Sequence, residues 1–170
     1  MSQLKNYGRI LFPIIALIVL SRSTSLSQPE RTPNSIFLEV GGSGYGYVSF
    51  NYDRLISNSF SVRMGYSHTN FNFLTDITVN SFPLLVNYLA GENNSRFEAG
   101  IGVAYINLSA SGKLFSSSID FKTNTVLLAT ALGYRYQPKD GGVLFKIDLT
   151  PFYGYGKVLF MYGISIGYTF

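Results

Sequence analysis

From Ser35 to the end of the chain, large apolar residues alternate with small or polar residues at a period of two. The final segment is the clearest, because the even-numbered residues of 160–170 are all aromatic or aliphatic and the odd-numbered ones are Met, Gly, Ser or Thr. Successive side chains of a strand point to opposite faces, so this pattern predicts a strand with one bulky apolar face and one small polar face. Eight such segments are predicted, over residues 36–41, 47–53, 60–67, 81–88, 96–105, 126–136, 143–150 and 160–170.

The links between these segments alternate in length. Short links rich in Asn, Gly, Asp or Pro follow the second, fourth and sixth segments, and longer links, 68–76, 107–120 and 151–159, follow the third, fifth and seventh. The first link, 42–46, is short and glycine-rich, and we predict a flexible turn there. Short turns at one end and longer loops at the other predict an all-β fold: an eight-stranded antiparallel up-and-down transmembrane β-barrel.

Composition favours a membrane barrel over a water-soluble one. Charged residues make up 13% of the chain and aromatic residues 16%, whereas a typical soluble domain has about 25% charged residues. The aromatic residues fall at both ends of the predicted strands, where amphipathic rings meet lipid headgroups. The alternative is a soluble barrel of the lipocalin kind, which would turn its large apolar residues inward and its charged residues outward.

The N-terminus has the three regions of an export signal. Lys5 and Arg9 precede an apolar run at residues 10–20, and a small-x-small sequence follows at residues 25–27. A membrane anchor is the alternative, but the 11 residues of the run would span only about 16 Å of a hydrocarbon core of about 30 Å. We therefore predict a cleavable signal peptide over 1–27, a flexible lead-in over 28–34 and the barrel over 35–170.

The last segment carries the most specific motif of the chain. Its outward residues end in an aromatic residue with apolar residues at alternate positions before it, namely Tyr162, Ile164, Ile166, Tyr168 and Phe170. With the export signal and the eight segments, this resembles the small outer-membrane β-barrels of Gram-negative bacteria, the family of OmpX and the OmpA membrane domain. The resemblance implies a monomer in the cell outer membrane among lipid and lipopolysaccharide, with both mature termini in the periplasm. It also implies that the barrel-assembly machinery reads the terminal motif.

The predicted inward face carries equal numbers of acidic and basic side chains. Eight strands leave an interior just wide enough for side chains to fill, and an unpaired charge there costs on the order of several kcal/mol. We therefore predict a structural charge network that fills the lumen, with an ion path as the alternative. Its members are Glu39, Asp53, Arg63, Arg96, Glu98, Arg135, Lys146 and Asp148.

Candidate catalytic chemistry is sparse. The chain has 1 His and no Cys. Because Thr69 and Asn70 follow His68, the His-x-Ser motif of lipid A deacylases is missing. We predict no catalytic, cofactor-binding or metal-binding residues. Past residue 27 there are 10 basic and 9 acidic residues, so the charge balance predicts no nucleic-acid partner.

The remaining place for a specific activity is the set of longer links, which we expect to lie outside the cell. The longest, 107–120, is polar and serine-rich. We predict an envelope structural or surface-interaction module, adhesin-like, which contacts an extracellular ligand through these external loops. A small-solute or ion channel is the first alternative, and a lipid A-modifying enzyme is the second.

Overall fold

The computed structural model describes residues 31–72, 76–91, 93–114 and 117–170. Eight antiparallel strands follow one another along the chain, each paired with the next, and the eighth closes on the first. The strands are β1 (Asn34–Gly41), β2 (Val48–Leu55), β3 (Phe60–Asn72), β4 (Asp76–Ala90), β5 (Ser95–Leu114), β6 (Ser117–Tyr136), β7 (Gly142–Gly154) and β8 (Lys157–Thr169). The predicted eight-stranded up-and-down β-barrel is confirmed.

The barrel has two ends of different character. At the terminal end lie Asn34, Phe170 and the short turns that follow β2, β4 and β6. At the hairpin end lie the β1–β2 link, the last residues of β3, β5 and β7, and the first residues of β4, β6 and β8. Across the described ranges, no helix has the length and apolar character needed to span a membrane.

The alternation in the sequence becomes the two faces of the barrel wall. In β8, Ile164 is 54% exposed and Ser165 is 1% exposed. The same contrast recurs around the wall, where bulky apolar side chains point outward and small or polar ones point inward. The soluble alternative, in which large apolar residues turn inward and charges turn outward, is therefore wrong. An outward apolar face and an inward polar face are typical of a barrel surrounded by lipid.

The three links predicted to be long loops are instead mostly paired strand. In the longest, the β5–β6 ladder continues from Asn107 opposite Asn124 to Leu114 opposite Ser117. Beyond the lipid-facing part of the wall, the outward face of a hairpin meets water, so its positions no longer need large apolar residues. The backbone groups still need hydrogen-bond partners, however. The strands therefore continue after the sequence pattern that marks them has ended.

The β1–β2 link is folded into the barrel and is not the predicted flexible turn. Gly42–Gly44 form a 3-10 turn, and all three residues are buried. The Oε2 atom of Glu39 accepts hydrogen bonds from the Ser43 backbone N–H at 3.1 Å and from the Ser43 hydroxyl at 2.8 Å. Gly42 has a φ of +61°, and a Cβ there would lie 2.6 Å from the carboxyl carbon of Glu39. Glycine permits this approach, and the Glu39 carboxylate then fixes the link.

The last residues of the predicted flexible lead-in are also fixed. The backbone N–H of Thr32 donates to the carbonyl of Lys139 at 3.0 Å, and that of Asn34 donates to the carbonyl of Phe170 at 3.0 Å. These donors satisfy turn and strand-end carbonyls, so residues 31–34 lie against the terminal end instead of trailing from it. The predicted signal peptide, its cleavage site and residues 28–30 lie outside the described residues.

Candidate functional site

The lumen contains a layer of buried ion pairs. Arg135 is at its centre, with Nη2 at 2.9 Å from Asp53 Oδ1 and Nη1 at 3.4 Å from Glu98 Oε2. Lys146 Nζ lies 2.8 Å from Glu98 Oε1, and Arg63 Nη1 lies 3.4 Å from Glu39 Oε1. Six of the eight predicted lumen charges therefore meet in what we call the ion-pair layer: Glu39, Asp53, Arg63, Glu98, Arg135 and Lys146.

The ion-pair layer crosses the barrel from wall to wall. Asp53 is on β2 and Arg135 is on β6, which are on opposite sides of the ring of eight strands. Their contact therefore spans the lumen. Glu98, on β5, contacts both Arg135 and Lys146, so it extends the layer to β7. Because all these side chains are buried, the layer fills the lumen at this level.

Two predicted members of the charge network lie outside these pairs. Asp148 accepts a hydrogen bond from the Thr150 hydroxyl at 3.0 Å, and Arg96 donates from Nη2 to the carbonyl of Asn58. Neither has an opposite charge within 4.0 Å among the described residues. All eight predicted members are buried, four acids and four bases, but short ion pairs join only six of them. Strand tilt sets the height of each side chain in a barrel, and a list of inward residues does not contain that height.

A cluster of apolar side chains, which we call the apolar cap, lies in the lumen nearer the hairpin end. Tyr45, in the β1–β2 link, meets the ring of Phe152 edge-on with centroids 5.3 Å apart. The buried members of the cap are Val79, Ala104, Ile106, Leu127, Ala129 and Phe152. The cap is absent from the features predicted from the sequence. The sequence feature that indicates the cap is the stretch TVLLATAL at residues 125–132 of β6, which is apolar on both faces.

Aromatic side chains gather on the outer face near both ends of the barrel. At the terminal end the rings of Phe60 and Tyr88 are 5.4 Å apart. At the hairpin end Tyr66 and Tyr105 flank Phe82, with ring centroids 4.9 Å and 6.4 Å from it. Such rows suit the two headgroup levels of a bilayer. The C-terminal motif also faces outward, with exposed side chains at Tyr162, Ile164, Ile166, Tyr168 and Phe170.

His68 lies on the outer face near the hairpin end, next to the side-chain amides of Asn70 and Asn80. Its Nδ1 is 2.7 Å from Asn80 Oδ1, and its Nε2 is 3.1 Å from Asn70 Nδ2. Asn80 Oδ1 can only accept, so Nδ1 carries the proton and Nε2 accepts from Asn70. Both ring nitrogens are therefore engaged by neutral partners. Within the described ranges, no three His, Cys, Asp or Glu side chains gather as metal ligands would.

The closed barrel, its apolar outer face and its filled polar lumen define the class of small outer-membrane β-barrels. No protein-family model and no curated protein matches the sequence. Among solved structures, the N-terminal β-barrel domain of Pseudomonas aeruginosa OprF matches with a TM-score of 0.58 and 14% identity, covering 84% of this chain and 98% of that chain.

A second similar structure is Ail, the attachment invasion locus protein of Yersinia pestis. It matches with a TM-score of 0.53 and 12% identity, covering 81% of this chain and 99% of that one. Ail in complex with the heparin analogue sucrose octasulfate matches with a TM-score of 0.54 and 13% identity, over 81% and 99% of the two chains. The chain therefore has the fold of an outer-membrane β-barrel protein, and the predicted resemblance to that family is confirmed at the level of fold.

Proposed function

We propose that the protein is an integral outer-membrane barrel that works as a sealed scaffold and presents its hairpin end to molecules outside the cell. The observation that carries this proposal is the contact between Arg135 and Asp53 across the lumen at 2.9 Å. Because the interior of such a barrel is filled, its activity lies on the outer wall or on the protruding hairpins. The termini would then lie on the periplasmic side, as the short turns at that end favour.

The β5–β6 hairpin is the most prominent contact surface in this proposal. Each of its arms has 20 residues, whereas a tilted strand crosses a bilayer with about 9–11 residues. Roughly half of each arm would therefore extend beyond the membrane. The likeness to Ail supports an adhesin-like role at the level of fold, since sites for binding commonly sit on loops held by a rigid scaffold.

We propose no catalytic role for His68. A general base needs a free lone pair directed at the proton it removes, and the Nε2 lone pair of His68 already accepts a hydrogen bond from Asn70. The Nδ1 atom is occupied by Asn80. Because neither partner is a carboxylate, the ring lacks the orienting acid that activates the nucleophile in a catalytic triad.

The sealed lumen predicts a result in planar bilayers. Purified protein should show no large, steady conductance, because the ion-pair layer and the apolar cap block the lumen in series. The measurement is the single-channel current after insertion, with a general porin in the same bilayer as the positive control. The heat-dependent mobility of the protein on gels should confirm that the inserted barrel is folded. Regular current steps of porin size would contradict the sealed lumen.

Shortening the β5–β6 hairpin tests the scaffold and the contact surface separately. Residues 110–121 can be replaced by Asn-Gly, because Ser109 and Lys122 lie opposite each other in the ladder and Asn-Gly suits a two-residue hairpin turn. The barrel should still fold, since Leu108, which packs against the apolar cap, is retained. A non-adherent host that produces the shortened form should bind less to epithelial cell layers than one that produces the full protein.

Two controls make this comparison specific. Asp140→Asn changes an exposed turn residue at the terminal end and should leave adhesion unchanged. Surface amounts of all variants should be equalised by labelling whole cells. Equal adhesion with the full and shortened hairpins would contradict its role as a contact surface, and failure of the shortened form to assemble would show that the hairpin belongs to the fold.

A further inference from the structure

Near the hairpin end, the two faces of the sheet formed by β3, β4, β5 and β6 exchange their polarity. On one face, directly paired positions form a row of apolar side chains, which we call the inner row: Phe71, Ile77, Ala110 and Phe121. Ile77 packs against the apolar cap, so the inner row continues the lumen face of the wall. The adjacent positions, on the outer face, are polar: Asn70, Thr78, Ser109 and Lys122. The inner face is therefore the apolar one here, whereas the outer face is the apolar one in the wall below.

The inner row is exposed to water, most of all at its β6 end. Phe121 is 52% exposed. At the other end of the row, Phe71 packs against Tyr47 of the β1–β2 link, with ring centroids 4.9 Å apart, and both rings are still partly exposed. Large apolar side chains that are exposed together commonly mark a surface that binds another molecule.

The strand that carries Phe121 also has an open edge. β7 pairs with β6 only from Leu128, which lies opposite Tyr153, towards the terminal end. Within the described ranges, no strand pairs with this edge of β6 over residues 117–127. The Thr125 hydroxyl donates to the Tyr155 hydroxyl at 2.9 Å, which is a contact between side chains and leaves the edge open. An open edge presents backbone N–H and C=O groups on which another strand can pair.

We propose that the edge of β6 at residues 117–127 binds an extended segment of a protein outside the cell as an added strand. The backbone of the segment would pair with β6, and its alternate side chains would specify it, as in other cases of strand addition. Because successive side chains of a strand point to opposite faces, the residues beside Phe121 should be apolar and those between them polar. This inference rests on the proposed function, because it assigns the partner of the β5–β6 hairpin.

A second copy of this protein in the same membrane does not fit the edge. Two copies related by a two-fold axis along the membrane normal would bring their β6 edges together in parallel. The same rotation would place the inner face of one copy on the side where the other has its outer face. The apolar row of each copy would then be continued by a polar one, so the partner is a different polypeptide.

The test uses the mature full-length protein in lipid nanodiscs and a short synthetic peptide in which valine alternates with threonine, with a lysine at each end. Fluorescence anisotropy of the labelled peptide measures binding, and the infrared amide band of an isotope-labelled peptide reports strand formation. We expect saturable binding and the amide band of a β-strand. The control peptide has proline in place of the threonines, which removes backbone donors, and it should not bind.

Variants of the protein locate the site. Phe121→Ser should weaken peptide binding by about tenfold, because the added strand loses a large apolar neighbour. Ser109→Ala is the control in the same hairpin, since Ser109 lies on β5 and on the outer face, and it should leave binding unchanged. If Phe121→Ser does not fold, Thr123→Asp replaces it. Thr123 follows on the inner face of β6, and a charge there should also weaken binding.

Three results would overturn the proposal. The first is no saturable binding of the alternating peptide by the unmodified protein, including the case in which the protein forms a dimer that excludes it. The second is equal binding of the proline peptide. The third is binding that Phe121→Ser, or Thr123→Asp in its place, leaves unchanged.

The adhesion assay separates this proposal from the proposed function. If the shortened hairpin lowers adhesion but the full protein binds no alternating peptide, the contact surface stands and strand addition is wrong. If the peptide binds at Phe121 but the shortened hairpin adheres as well as the full protein, strand addition stands and the adhesin-like role is wrong.

Discussion

Replacing Ile164 by arginine should lower the free energy of unfolding of the barrel in lipid vesicles by about 2–4 kcal/mol. Ile164 lies in the middle of β8, its side chain faces outward, and its neighbours across the two ladders are Val40 and Ile147. The arginine would therefore place a charge in the most apolar part of the outer face. Urea unfolding in vesicles, followed by circular dichroism, measures the loss.

The matched control lies on the same strand and the same face. Val158 is exposed like Ile164 but is close to the hairpin end of β8, where an arginine should cost about 0–1 kcal/mol because the cost falls towards the interface. A cysteine at Ile164 should react with a lipid-embedded label, and one at Ser165 should not. Equal small losses at both arginine positions, or the reverse labelling pattern, would contradict a lipid-facing outer surface.

The faces of the strands can be predicted from the sequence because lipid and lumen impose opposite demands on neighbouring residues. A one-residue slip would turn Ile164 inward and Ser165 outward. The alternating pattern therefore specifies which residues of the strand face the lipid and which face the lumen. The opposite demands of lipid and lumen end where the strands leave the lipid-facing part of the wall. From Asn107 and Asn124 outward, the positions that continue the outward face of the β5–β6 hairpin hold Asn, Ser, Lys and Asp instead of large apolar residues. The sequence therefore predicts a loop there, although the backbone is paired.

The lumen is only partly predictable for a different reason. Alternation identifies which charges point inward, but partners such as Arg135 and Asp53 come from opposite walls and are 82 residues apart. Their meeting depends on tilt and register, which a single sequence does not display. Arg31 is missed because it precedes the first alternating segment, and the inward role of Phe152 is missed because the alternation is followed only to Thr150.

The second large effect is expected for Glu98→Gln. Glu98 accepts from Lys146 at 2.8 Å and from Arg135 at 3.4 Å. Arg135 would keep Asp53, but Lys146 would lose its carboxylate and retain the face of the Phe37 ring, 4.9 Å away. Removing one partner of a buried ion pair costs about 3–5 kcal/mol, since the other charge stays buried. We expect a loss of that size in urea unfolding, and almost none for Asp140→Asn in the exposed turn.

A double variant separates lost pairing from lost packing. In Glu98→Gln with Lys146→Met, the uncompensated ammonium is gone and a flexible apolar chain of similar length lies against Phe37. Replacing a buried ion pair by well-packed apolar groups is often neutral, so the double variant should recover most of the stability lost by Glu98→Gln. If instead Glu98→Gln alone costs less than about 1 kcal/mol, the value typical of solvent-exposed pairs, then water reaches Lys146. The ion-pair layer would then not seal the lumen, and the result would support the alternative of a small-solute or ion channel.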